Sequence, residues 1–252
     1  MRQTGAMSVA VVTGGSRGIG AATVPMLASA GYDVVFSYRA DADAAASVID
    51  ACADLDTSVT AVRADVGSED DVLALFAEAD QVGPLGALVN NAGIVDVSAR
   101  LESFDLARID RMFRINVFGV FLCAREAVRR MSTDHGGSGG SIVNVGSVVS
   151  RTGGPGEYVD YAASKGAIDT MTLGLAKEVA AEGIRVNTVR PGLIDTDIHH
   201  DTGIEDRITK LAPNVPLGRA GTPTEIAAAI AWLCSPAASY TTGALLDVTG
   251  GR

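Results

Sequence analysis

Short, nearly all-apolar β-branched runs alternate along the whole chain with longer alanine-rich stretches, and few folds accept that pattern. The runs predicted as strands are Val9–Thr13, Asp33–Ser37, Ser58–Arg63, Ala87–Asn90, Ser141–Val145, Arg185–Val189 and Ala244–Val248. Helices are predicted between them near 18–30, 42–54, 69–81, 105–132, 159–182 and 223–234. Asp105 stands where a capping side chain belongs, and Thr222-Pro223 pairs a cap with a first-turn proline. Strands such as Val9-Ala10-Val11-Val12 have no polar face, as expected where helices cover both sides of a parallel sheet. The expectation is an α/β fold, one doubly wound parallel sheet of about seven strands with helices on both faces. No linker or repeat divides the chain, so residues 1–252 are read as a single domain. From Pro191 to Pro216 the alternation fails, and residues 193–215 are expected to form a flap over a binding site.

Composition narrows the partners. The formal net charge is −10, which repels nucleic acid and anionic membranes alike. No apolar run reaches the roughly 18 residues of a membrane helix, and the first residues lack the apolar stretch of a signal peptide. Cys52, Cys123 and Cys234 are far apart and show no metal or redox spacing. Inert thiols in a reducing cytoplasm are expected. His199-His200-Asp201 has no third ligand spaced to help, so no metal site is expected.

The first strand runs straight into Thr13-Gly14-Gly15-Ser16-Arg17-Gly18-Ile19-Gly20. Gly14, Gly18 and Gly20 permit a tight turn, close approach of backbone to a pyrophosphate, and close helix–strand packing. The phosphates then meet the free N–H groups and positive dipole of a helix N-terminus. A plain strand-to-helix turn would read the same in isolation. At the end of the second strand an acidic residue would bind a ribose 2′-hydroxyl, whereas arginine would pair with a 2′-phosphate. Ser37 occupies the acidic position and Arg39 follows two residues on, with Arg17 in the glycine turn able to reach the same phosphate. Asp41 and Asp43 nearby count against the phosphate. NADP(H) is favoured over NAD(H).

Tyr161-Ala162-Ala163-Ser164-Lys165 puts a phenol and an ammonium at i and i+4, on one face of a helix. A free tyrosine is only about a thousandth phenolate at neutral pH, and a nearby cation can lower its pKa by about 1–3 pH units. Such a tyrosine can give and take a proton. The same spacing also occurs on ordinary amphipathic helices.

Together these motifs resemble the short-chain dehydrogenase/reductase family over essentially the whole chain, from Val9 to Gly251. The glycine spacing, Asn90-Asn91-Ala92-Gly93, Ser147, the Tyr161/Lys165 pair, Pro191-Gly192-Leu193-Ile194-Asp195-Thr196 and the closing Asp247-Val248-Thr249-Gly250-Gly251 fall in the family's order. The resemblance implies a Rossmann-type fold and a nicotinamide-dependent oxidoreductase acting between CH–OH and C=O. It implies that Tyr161 transfers the proton, Ser147 orients the substrate oxygen, Lys165 binds the ribose and lowers the tyrosine pKa, and Asn116 kinks its helix and anchors a water relay. It assigns Asp65 and Val66 to the adenine, Asn91, Ala92 and Gly93 to the cofactor wall, and Pro191, Gly192, Ile194 and Thr196 to the nicotinamide carboxamide. Ser16 and Ile19 join Gly14, Arg17, Gly18 and Gly20 around the pyrophosphate.

Within the family the chain resembles bacterial enzymes of the glucose 1-dehydrogenase and 3-oxoacyl-carrier-protein reductase types. Substrate is the least constrained feature. A flap bearing His199, His200, Asp201 and Asp206, facing Arg151, Glu157 and Tyr158, suits a small polar substrate. A pocket of Val148, Val149 and Leu193 would instead be apolar. A 3-oxoacyl thioester reductase is the nearer alternative and a non-catalytic dinucleotide sensor the more distant one. The family's usual homotetramer would use the two longest helices, near 105–132 and 159–182, and the C-terminal strand, with Val117, Phe121, Ala167 and Leu175 on the helices' outer faces.

Overall fold

A computed structural model describes residues 8–196 and 206–252. Seven strands, β1 (Val9–Val12), β2 (Asp33–Tyr38), β3 (Val59–Arg63), β4 (Leu85–Asn90), β5 (Gly140–Val145), β6 (Ile184–Pro191) and β7 (Leu245–Val248), form one sheet in the order β3-β2-β1-β4-β5-β6-β7. Every neighbouring pair is parallel. The helices are α1 (Gly18–Ser29), α2 (Ala42–Asp50), α3 (Glu69–Val82), α4 (Leu106–Phe113), α5 (Gly119–Met131), α6 (Val149–Thr152), α7 (Val159–Val179), α8 (Arg207–Leu211) and α9 (Pro223–Cys234). This is the doubly wound, Rossmann-type sheet expected from the alternation.

Alternate residues of each strand feed two separate cores. Ala10, Val12, Val34, Phe36, Val89 and Val143 pack against Val24 and Leu27 of α1 and Ile226, Ile230 and Leu233 of α9. Val9, Val11, Val35, Leu88 and Ile142 pack on the opposite face against Leu75 and Phe76 of α3, Cys123 and Ala127 of α5, and Ala176 and Val179 of α7. Both faces of the inner strands are therefore dry, which is why their sequences lack a polar alternation, while the edge strands β3 and β7 are only partly buried. Burial pushes the thiols of Cys123 and Cys234 up to about 12, so neither is a nucleophile at neutral pH.

The helix starts follow their caps. Asp105 accepts a hydrogen bond from the Arg108 amide at 2.7 Å. Thr222 and Glu225 form a reciprocal capping box with Pro223 in the first turn. One expected element is corrected: the helix predicted over 105–132 is broken by a π turn at Arg114–Phe118. The cause is Asn116. Its amide donates to Ile94 O at 2.9 Å and its oxygen accepts from Ile94 N at 2.8 Å, so it serves the loop after β4. Helix α7 also stops at Val179, followed by a 3-10 turn over Ala180–Glu182. His199, His200 and Asp201 lie outside the described residues. The described remainder of the expected flap contains α8 and a 3-10 turn at Ala212–Asn214.

Helix α7 is registered on the sheet by buried polar groups. Asn90 donates to Asn144 at 2.9 Å, Asn144 donates to the Thr172 hydroxyl at 2.8 Å, and the hydroxyls of Thr172 and Thr188 stand 2.7 Å apart. Arg190 of β6 pairs with Asp169 of α7 at 3.1 Å. At the first turn of α7, buried Asp160 accepts from Arg108 of α4 at 2.7 and 3.3 Å, while Arg108 also donates to Val97 O. Asp160 immediately precedes Tyr161, so this pair fixes where α7 begins. Arg108→Met leaves a buried carboxylate without its partner and should cost about 3–5 kcal/mol. The urea midpoint should fall with the slope unchanged, and Arg108→Met/Asp160→Leu should recover most of the loss. A loss below about 1 kcal/mol in the single variant would show that the pair behaves as a surface ion pair.

Candidate functional site

All seven strands point their carboxyl ends to one edge, and there a cleft of about 770 Å³ opens. Every residue predicted for cofactor or chemistry lines it except Gly20 and Asn116, which stand just behind its wall. Gly20 is needed for that wall to close. A Cβ there would lie 2.2 Å from Gly14 O and 2.6 Å from the Asn91 amide nitrogen. That same Asn91 amide donates to the carbonyls of Thr13 and Gly14 at 2.9 Å each. The Thr13 hydroxyl in turn accepts from Asn91 N and Ala92 N at 3.0 Å. The glycine turn and the Asn91-Ala92-Gly93 loop are thus one rigid cradle at the N-terminus of α1. Thr196 closes it from the far side, its methyl 3.4 Å from where a Gly18 Cβ would be. A backbone cradle of this width, with free helix N–H groups, fits a dinucleotide pyrophosphate.

At the end of β2, the Ser37 hydroxyl accepts from Gly14 N at 3.0 Å, so it braces the glycine turn. Asp41 looks in sequence like a rival for the ribose. Its carboxylate instead caps α2, accepting from Ala44 N at 2.9 Å. Arg39 and Arg17 both face the cleft here. Asp65 and Val66 line the same end, with Asp65 accepting from Gly67 N at 2.8 Å.

The chemical end is built on β5 and α7. Ser147 follows β5; its hydroxyl accepts from Val149 N at 3.3 Å and stands near enough to the Tyr161 phenol to favour its ionised form. Lys165, buried one turn beyond Tyr161, donates to Val145 O at 2.8 Å and lies 5.6 Å from the Tyr161 ring centroid. Burial drives Lys165 down to about 8, opposed by the charge of Asp169. Burial drives Tyr161 up to about 12, with the nearby Ser147 hydroxyl pulling it down and Tyr158 pushing it up. Asn116 joins this group through its bond to the Ser164 hydroxyl at 3.2 Å. A Cβ on Gly93 would fall 3.3 Å from Asn116 Oδ1 and 3.6 Å from Lys165 Nζ, so the three are closely packed. Ser147, Tyr161, Lys165 and Asn116 are therefore brought together.

Beyond Tyr161 the wall mixes polar and apolar groups. Glu157, Tyr158, Val148, Val149, Leu193 and Leu211 all line it. Arg151, expected to face the substrate, instead reaches Asp247 at 2.5 Å and is absent from the cleft wall. The carboxylate of Asp247, already shared with Arg190, draws it away. Arg207 was not singled out from sequence, yet it is buried in this wall with its guanidinium on Glu157 and Tyr158. The partners are fifty positions apart, so no local pattern could have joined them.

The comparisons agree with this geometry. A family model described as enoyl-(acyl carrier protein) reductase matches residues 14–252. An uncharacterized oxidoreductase of Escherichia coli, YgfF, is 51% identical, covering 98% of this chain and 100% of its own length. The cis-4-hydroxycyclohexanecarboxylate dehydrogenase of Sinomonas cyclohexanicum is 41% identical, covering 100% of this chain and 98% of its own. Among solved structures, the 3-ketoacyl-(acyl-carrier-protein) reductase of Brucella melitensis complexed with NADH superposes with a TM-score of 0.90 at 34% identity, over 97% of this chain and 98% of that one. The chain belongs to the short-chain dehydrogenase/reductase family and is an NAD(P)-dependent oxidoreductase.

Proposed function

We propose that this protein is an NADP(H)-dependent carbonyl reductase and alcohol dehydrogenase for a small, free, polar substrate, the whole chain acting as one dinucleotide-binding and catalytic unit. The observation that carries the reading is the convergence of Ser147, Tyr161 and the buried Lys165 ammonium on one stretch of the cleft wall, with Lys165 one helical turn beyond Tyr161 and held by Val145 O. A bound nicotinamide cofactor would supply or take up the hydride exchanged with the substrate carbon. Tyr161 gives its phenolic proton to the substrate oxygen in reduction and takes it back in oxidation. Ser147 holds that oxygen beside the phenol. Lys165 donates to the ribose, and its charge offsets the penalty that burial places on the phenolate. Asn116 holds the loop after β4 against Lys165 and anchors the relay that returns protons from solvent.

The name of the 41%-identical relative, a hydroxy-carboxylate dehydrogenase, is in keeping with a small alcohol substrate. The name of the Brucella relative favours a carrier-bound acyl substrate. An acidic carrier protein needs basic residues to dock on, and here the chain is acidic overall. Arg129 and Arg130 of α5 are engaged by Glu126 of the same helix and, for Arg130, by Asp80 of α3, away from the cleft wall. A free substrate is the better fit. Self-association is expected through α4, α5 and α7. Phe118 and Phe121 are about half exposed there, at 55% and 50%, whereas Val117, also expected in that surface, is core.

Two measurements test these assignments. Tyr161→Phe should leave NADPH affinity within a few-fold and lower turnover by about two to four orders of magnitude. Equal loss of both, or of neither, would remove Tyr161 from the chemistry. Titrated against the fluorescence of Trp232, NADPH should bind more tightly than NADH. Arg39→Ala should then erase about ten- to hundredfold of that preference, the worth of a charge-assisted bond to phosphate. A wild-type preference for NADH would overturn the cofactor choice.

A further inference from the structure

The cleft holds a buried cation that the proposed chemistry does not use. Arg207, on α8, is 7% exposed. One of its terminal nitrogens donates to Glu157 at 2.6 Å and to the Tyr158 hydroxyl at 2.5 Å. Its Nε is fully buried and has no hydrogen-bond partner among the described residues. A buried guanidinium N–H without an acceptor is unfavourable, because the water it gave up is not replaced. Arginine is also the side chain whose flat fork matches a carboxylate with two parallel bonds.

The surroundings supply orientation and charge. The guanidinium stands 5.3 Å from the centroid of the Tyr158 ring, and that ring meets Tyr161 edge-to-face at 5.8 Å. Gly154 makes the placement of Tyr158 possible, since a Cβ there would lie 2.8 Å from the ring. Tyr158 therefore separates the cation from the proton donor by about one aromatic ring. Among the described residues, Arg207, Glu157 and Arg252 surround Tyr158 and line the cleft.

We propose that Arg207 anchors a carboxylate on the substrate, which makes the substrate an oxo or hydroxy acid whose reacting carbon is separated from the carboxylate by a ring or a short chain. The inference rests on the reductase reading and narrows its polar substrate to an anionic one. Arg207 binds the acid through the part of its guanidinium that lines the cleft. Glu157 holds the fork in place and competes with the ligand for its charge. A carboxylate attached directly to the reacting carbon would fall short of Arg207, so simple 2-oxo acids are poor substrates.

The test uses 4-oxocyclohexanecarboxylate and 4-oxopentanoate beside their methyl esters, in NADPH-dependent reduction and in calorimetric titration with NADPH present. The wild type should prefer each acid over its ester by about ten- to hundredfold in KM and in Kd. Arg207→Ala and Arg207→Lys should collapse that ratio, whatever change acid and ester share. Glu157→Gln should raise the preference several-fold, a gain that a purely structural Arg207–Glu157 pair would not give. Equal affinity for acids and esters in the wild type, or a ratio unmoved by both Arg207 variants, would overturn the proposal and leave the reductase reading intact. Tight, Arg207-dependent binding of the acids without reduction of any compound would overturn the reductase reading and leave the anchor standing.

Discussion

Strands β1 and β4 lie side by side and parallel, yet the helices that follow them depart to opposite faces of the sheet. Helix α1 packs with one core and α5 with the other. A crevice must open where the two connections part, at the carboxyl ends of the strands. Everything that could bind or react is delivered to that crevice. The glycine turn leaves β1, the Asn91 loop leaves β4, Ser147 follows β5, and the 191–196 segment leaves β6. The Thr13–Asn91 hydrogen bonds lock the first two together across the switch point, so the phosphate cradle is rigid before any ligand arrives.

Helix α7 brings the chemistry to that edge and carries its cost. Lys165 is depressed to about 8 from an ordinary 10.5 because its ammonium is buried. The unfolded chain therefore binds more protons between those two values, and stability from this group rises with pH through that window. Below pH 8 the native state carries the full penalty of the buried charge. Tyr161 is displaced in the other direction, up to about 12, again by burial. Both shifts favour the neutral form of each group, whereas the proposed proton transfer needs a phenolate stabilised beside a cation. The opposition is characteristic of a site arranged for a bound ligand rather than for stability. The Asn144–Thr172–Thr188 chain and the Arg108–Asp160 and Arg190–Asp169 pairs hold α7 against that cost.

Sequence showed most of this where the constraint is local. Dry strands of four to eight residues, capped helices and the Tyr161/Lys165 spacing are each properties of short windows, and strand boundaries moved by no more than two or three residues. What it hid depends on long-range partners. The resemblance places a kink at Asn116, but not its cause, a loop twenty-two positions earlier that needs both ends of the amide. Asp41 counts against a 2′-phosphate until its capping bond is visible. Arg151 reads as a substrate contact until Asp247 draws it aside, and Arg207 reads as one charge in an irregular stretch until Glu157 and Tyr158 surround it. Tertiary context decides the fate of isolated charges, and no periodicity encodes it.

The central claim is that this edge converts a reluctant phenol into a proton carrier. Its most direct measurement is the ionisation of Tyr161 itself, read as the ultraviolet absorbance of wild type minus Tyr161→Phe during a pH titration. In the free protein the phenol should titrate at about 12. With NADP⁺ bound it should fall by at least about 2 pH units, the size of shift that adjacent positive charge can produce. In Lys165→Met much of that fall should vanish. A Tyr161 that titrates at the same pH with and without NADP⁺, or that is indifferent to the loss of Lys165, would contradict the role assigned to the pair.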